Sequence, residues 1–159
     1  MVAPQHPEAW EAYVRDQIPL MRAMGMSVSA MTVTASSPAR VELSFPLAGN
    51  QNHYGTGFGG SIATAATTAA WLLATALLAT ADHVPTVLIR RSQVEFTAPV
   101  RGPFRAVANI SEPERDAYVR AYARRGKSVV ELKATVHTGD ELCAEFTGLF
   151  VALPNASSA

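Results

Sequence analysis

A single cysteine, Cys143, rules out an intramolecular disulfide, so nothing covalent staples this 159-residue chain. Its setting, ELCAEF, alternates like a strand with the thiol packed inside, and a reducing cytoplasm suits such a composition. Net charge is missing too. The 13 Lys and Arg balance 13 Asp and Glu, which leaves no electrostatic case for nucleic acid or an anionic membrane surface. The opening residues, MVAPQHPEAWEAYVRD, lack the basic and apolar regions of a secretory signal. Neither a metal nor a cofactor is expected.

The most informative absence is local. From Asn50 to Ala81 the chain reads NQNHYGTGFGGSIATAATTAAWLLATALLATA, without one Asp, Glu, Lys or Arg. A helix with no charged face must be enclosed by protein or lipid. From Ser61 to Ala81 there is no Gly or Pro and much Ala and Leu, which predicts a helix of ~31 Å at ~1.5 Å per residue, long enough to cross a sheet or a bilayer. Its Ser and Thr content, its many small Ala side chains and the lack of flanking basic clusters favour a protein core over a membrane span.

The rest of the chain organises around that segment. Residues 1–159 are of a length for one domain, with an N-terminal helical segment over 1–25 and a frayed tail over 154–159. Pro7-Glu8 starts a helix whose Trp10, Val14 and Ile18 form one apolar stripe; Pro19 kinks or divides it and Gly25 ends it. Strands are expected from Met26 to Ala35 and around Val41, Leu43 and Phe45, joined across Ser36, Ser37 and Pro38. Further strands are expected over 86–97, 104–110, 128–138 and 141–153, with a Gly139-Asp140 turn between the last two; Tyr118 to Arg125 is expected to be extended or irregular. This order predicts an α+β domain in which one antiparallel sheet wraps a single buried helix.

The run Asn52-His53-Tyr54-Gly55-Thr56-Gly57-Phe58-Gly59-Gly60 resembles the hotdog-fold acyl thioesterases, and the likeness extends from about Ala12 to Leu153. It is strongest to the thioesterase family found as the C-terminal part of some acetyltransferase fusions, through Pro19-Leu20, GTGFGGS at Gly55 to Ser61, and PVRG at Pro99 to Gly102. The resemblance implies a hotdog fold, an acyl-CoA or acyl-carrier thioester as substrate, and a homodimer or dimer of dimers with sites at the subunit interface. In better-known relatives the pattern is Asn or Gln, a short loop, His-Gly-Gly and a helix carboxylate. Here Asn52, Gly59 and Gly60 match, whereas Phe58 stands where the histidine would be and Thr67 where the carboxylate would be.

Chemically, the Gly59 and Gly60 N–H groups at a helix start can polarise a thioester carbonyl and stabilise its tetrahedral oxyanion. Asn52 can orient water or the carbonyl, and the Thr67 hydroxyl, two turns beyond Gly60, can face the same cleft. Threonine is a poor base near neutrality, so His53 is the first candidate base and Glu95 the second. Tyr54, Phe58 and Trp71 can line the acyl site. Arg90 and Arg91, or Arg124, Arg125 and Lys127, can meet coenzyme A phosphates.

Each assignment has a plainer counterpart. The glycines can serve a tight loop, Asn52 can cap a turn, Thr64 and Thr67 can bond the preceding helical turn, His53 and Tyr54 can pair in a loop, and the basic residues can be solvated strand edges. Gly55, Gly57 and Gly60 also satisfy GxGxxG, but no parallel strand leads into them and no acidic residue ends a second one. The competing functions are a non-catalytic acyl-thioester binding module and, less favoured, a hydroxyacyl-thioester dehydratase or hydratase.

Overall fold

The computed structural model describes Pro4, residues 6–34 and residues 38–155. Helix α1 (Pro7–Gln17) begins on Pro7 and buries Trp10 and Val14. Pro19 divides rather than kinks the segment: Ile18 ends α1 and precedes α2 (Pro19–Ala23). Gly25 then turns the chain with φ +69°, against Pro46. Strands β1 (Ser27–Thr32) and β2 (Ala39–Phe45) follow. Of the residues expected to join them, Ser36 and Ser37 lie outside the described residues, as does the tail beyond Asn155.

The charge-free segment is helix α3 (Gly59–Ala79), starting two residues before the expected Ser61. It is followed by β3 (Pro85–Phe96), β4 (Phe104–Ile110), α4 (Glu112–Arg125), β5 (Ser128–Thr138) and β6 (Glu141–Pro154). The six strands form one antiparallel sheet in the order β1-β2-β4-β5-β6-β3. The sheet wraps α3, which packs against β2, β3, β4, β5 and β6. This is the α+β hotdog arrangement. Alternation supplies the inner wall: Ala39, Val41, Leu43 and Phe45 of β2 are buried, and Arg40 between them is exposed. Although α3 has the length and apolarity to cross a membrane, most of its apolar side chains are buried against the sheet.

One expectation fails. Tyr118 to Arg125 is not extended but forms the second half of α4. Ser111 caps that helix in a box with Glu114, Pro113 lies in its first turn, Arg124 and Arg125 occupy its last, and Gly126 closes it in the left-handed conformation. Tyr118 and Tyr122, four residues apart, are buried on one face. They read as strand residues only when the cap upstream is ignored. Because β4 ends at Ile110, its pairing with β5 stops at Asn109–Lys133, and α4 packs beside β5 where β4 has ended.

Candidate active site

The loop between β2 and α3 is fixed by its own amides. The Asn52 side-chain oxygen accepts from the backbone N–H of Tyr54 (2.9 Å) and Thr56 (3.2 Å), and its Nδ2 donates to Thr56 Oγ1 (3.0 Å). Asn52 N–H donates to the Thr56 carbonyl and Gly55 N–H to the Asn52 carbonyl, with Gly55 at φ +77°. Asn52 therefore organises the turn. His53 and Tyr54 sit at its exposed tip with ring centroids 3.8 Å apart.

Two residues that the sequence reading passed over hold this loop in place. Asn50 is buried, its Nδ2 donates to the Met24 and Pro46 carbonyls (2.8 and 2.9 Å), and its own carbonyl accepts the Phe58 N–H (2.7 Å). Val100, also buried, accepts the Gly57 N–H (2.8 Å). A β-carbon on Gly57 would lie 2.8 Å from Val100 Cβ, so only glycine lets the two segments approach so closely. The signals were an asparagine two residues before the motif and the PVRG run, whose contact with the loop spans some forty residues.

The loop delivers α3 with an open start. Phe58 is the N-cap and supplies no side-chain bond, and the first intrahelical bond runs from Ile62 N–H to the Phe58 carbonyl. Among the described residues, the N–H groups of Gly59, Gly60 and Ser61 donate no hydrogen bond, so three donors stand free where the helix dipole is positive. Two aromatic rings flank them. A β-carbon on Gly59 would be in ordinary contact with Phe96 (3.5 Å), and one on Gly60 would lie against the ring of Phe58. Phe58 and Phe96 are each 54% exposed.

Beside these donors lies an open cleft of about 390 Å³, lined by Gly57, Gly59, Ile62, Phe96, Thr97, Ala98 and Pro99. None of these carries an ionisable side chain. Thr67 and Thr64 donate to the helix carbonyls of Ala63 (2.8 Å) and Gly60 (2.7 Å), leaving their oxygens as acceptors only. Trp71 Nε1–H donates to the Val87 carbonyl (3.0 Å), tying α3 to β3. With Phe96 beside Gly59 and Val87 beside Trp71, β3 runs antiparallel along α3.

The charged candidates are spread apart. Arg90 lies in a β-bulge between Ile89 and Arg91, and both arginines are exposed midway along β3. Glu95 pairs opposite Glu145 and points away from α3, since its neighbour Phe96 faces Gly59. Arg124, Arg125 and Lys127 lie near the other end of α3: the neighbouring Tyr122 packs on His83, just past its C-terminus, ~30 Å along the helix axis from Gly59 and Gly60. The described residues hold no cluster of three or more His, Cys, Asp or Glu suited to a metal ion.

Solved structures share this architecture. A protein of unknown function from Chlorobaculum tepidum TLS is 23% identical with a TM-score of 0.79, the alignment covering 94% of this chain and 97% of that one. A "putative thioesterase" from Shewanella oneidensis is 21% identical with a TM-score of 0.76, covering 93% and 97%. A thioesterase from Haemophilus influenzae is 16% identical with a TM-score of 0.71, covering 96% and 94%. At these identities the likeness is one of fold. The family model described as "Putative thioesterase (yiiD_Cterm)" matches residues 8–154, from the first helix to the last strand, and the chain belongs to that thioesterase family.

Proposed function

We propose that this chain hydrolyses acyl-CoA thioesters at the start of α3. The observation that carries the proposal is the trio of unpartnered N–H groups of Gly59, Gly60 and Ser61 beside an uncharged cleft. A thioester carbonyl oxygen docked there accepts from Gly59 and Gly60, and the positive helix end stabilises the oxyanion formed when water attacks. The new bond joins water oxygen to the carbonyl carbon. The C–S bond then breaks, the thiolate takes up the proton that water gives up, and carboxylic acid and thiol are released. His53 at the loop tip is the proposed proton carrier, and Asn52 acts by holding the loop that presents the glycines.

Homodimerisation belongs to the same proposal. β3 is a 12-residue edge strand with Leu88, Ile89 and Phe96 exposed, and pairing with β3 of a second copy would satisfy its open edge. Arg90 and Arg91 would then flank the joint, within reach of a phosphate-bearing carrier.

A second reading, a non-catalytic acyl-thioester binding module, is favoured by one observation: no ionisable side chain lines the cleft. Thiol release from an acyl-CoA panel separates the two. Wild type should release thiol, and Gly59→Leu, which crowds Phe96, and Asn52→Ala should lose turnover while staying folded. A thermal shift with acyl-CoA but no thiol release would establish the binding module. Full activity in both folded variants would place the site elsewhere.

A further inference from the structure

Beside the basic group at the far end of α3 from Gly59 and Gly60, a cavity of about 670 Å³ separates α4 from β5. It exists because β4 stops early. The β4 pairing ends at Asn109–Lys133, so β5 from Ser128 to Leu132 has β6 on one side and α4 on the other. A neighbouring strand would sit ~4.8 Å away, but a helix with its side chains is ~10 Å across and leaves a gap. One face of α4 fronts this gap, with Ala117, Tyr118, Ala121 and Arg125 recurring at helical spacing. Opposite stand Ser128, Val129 and Val130 of β5 and Val151 of β6.

Two buried hydroxyls line the cavity and are unspent. Tyr118 and Ser128 are 2% and 3% exposed, and neither side-chain oxygen hydrogen-bonds to any of the described residues. Burying a hydroxyl without a partner is costly, so a cavity walled by two has reason to hold a polar guest. Burial pushes the Tyr118 phenol up, which keeps it a neutral hydroxyl at working pH. Charge is divided between the two ends. Arg125 and Lys127 flank the turn into Ser128, and neither forms a salt bridge among the described residues. The carboxylates lie away from that turn. Glu114 is ~16 Å before Arg125 along α4, spends an oxygen on the Ser111 cap and is near enough to Lys133 to feel its charge. Glu131 is ~10 Å beyond Ser128 along β5.

We propose that this cavity binds a small carboxylic acid with an apolar body, its carboxylate on Ser128, Lys127 and Arg125 and its body on Ala117, Ala121 and Val130. Three donors at one end suit a carboxylate, which only accepts. From Arg125 back to Ala117 is ~12 Å along α4, and an eight-carbon chain at ~1.2 Å per bond takes about 9 Å of it. Tyr118 offers its hydroxyl to a ligand oxygen further along the body. The site does not depend on the hydrolase reading, although carboxylic acids are the class of compound that thioester hydrolysis releases.

Octanoate is titrated into the full chain, with octan-1-ol and inorganic phosphate as controls, and binding is read by calorimetry and by the shift in unfolding temperature. Octanoate should bind about tenfold more tightly than either control, the worth of one hydrogen bond to a charged group. Ser128→Ala and the double variant Arg125→Gln/Lys127→Gln should each weaken it by about the same factor. Gly59→Leu, which blocks the cleft at α3, should leave octanoate affinity unchanged. Without ligand, Ser128→Ala and Tyr118→Phe should unfold no earlier than wild type, because neither hydroxyl bonds the protein.

Octan-1-ol binding as well as octanoate would reduce the site to an apolar groove, and phosphate binding as well would reduce it to a basic patch; either overturns the proposal. So would affinity lost in Gly59→Leu but kept in Ser128→Ala, which would put the acid in the cleft at α3. Unchanged affinity in both Ser128→Ala and the double variant, or no binding of octanoate by either readout, would overturn it too. If Ser128→Ala and Tyr118→Phe both destabilise the free protein, the hydroxyls already have partners and the reason for a guest is gone.

Discussion

The Phe58 ring over Gly60 gives a two-residue test of how the site is built. A β-carbon at Gly60 would lie 2.9 Å from Phe58 Cζ and 3.0 Å from Cδ1, and closer still to Cε1. These atoms belong to the far end of a side chain that is 54% exposed, so the ring can swing away. Fully burying a phenylalanine is worth ~1.5–3 kcal/mol, and with less than half the ring covered, moving it costs about 1 kcal/mol. Replacing a helical glycine by alanine gains ~0.5–1 kcal/mol. Gly60→Ala alone should therefore leave stability within about 0.5 kcal/mol of wild type.

In a Phe58→Ala background only the gain remains, so Gly60→Ala should stabilise by ~0.5–1 kcal/mol. The coupling energy of the cycle is then about 1 kcal/mol, in the range found for touching residues. Urea unfolding of the four proteins measures it, and thermal unfolding should register ~2–4 °C per kcal/mol for a chain of this size. Strict additivity would refute the account, since Phe58 would then not be what keeps position 60 a glycine.

Two further predictions concern the frame that holds the site. In β6 a β-carbon at Gly148 would sit 2.6–2.8 Å from Phe146 and Phe150, whose rings are buried and cannot swing, so Gly148→Ala should cost ~1–3 kcal/mol in denaturant unfolding. An unchanged midpoint would show that the two rings can repack. At the α4 cap, Ser111→Ala should cost ~1 kcal/mol near neutral pH. Its hydrogen bonds to Glu114 hold that carboxylate below its ordinary value of 4.5. The stabilisation is therefore complete above pH 4.5 and is lost as pH falls through the lowered value. The gap between wild type and variant should narrow in acid, and a gap that widened there would reverse the assignment.

Much was legible in the chain because local chemistry dictates it. A 21-residue helix without a charge must be enclosed, its small and hydroxyl side chains favour protein over lipid as the enclosure, and strand alternation told which side of each strand faces it. The glycine pair at the helix start follows from the same run, since free N–H groups at a helix end need no distant partner to exist. Helix α4 was also written locally, in the cap of Ser111, Pro113 and Glu114 and the Gly126 stop, and was missed because its two tyrosines imitate a strand. What surrounds the glycines was not written locally. Phe96 and Val100 come to the loop from across the fold, Asn50 spends its amide on carbonyls at Met24 and Pro46, and Trp71 finds Val87 on the edge strand. The sequence alone settled which backbone groups would be free and which helix would be enclosed. Only the tertiary structure decided what lines the space beside them, because those contacts arise from the packing of segments that are separated along the chain.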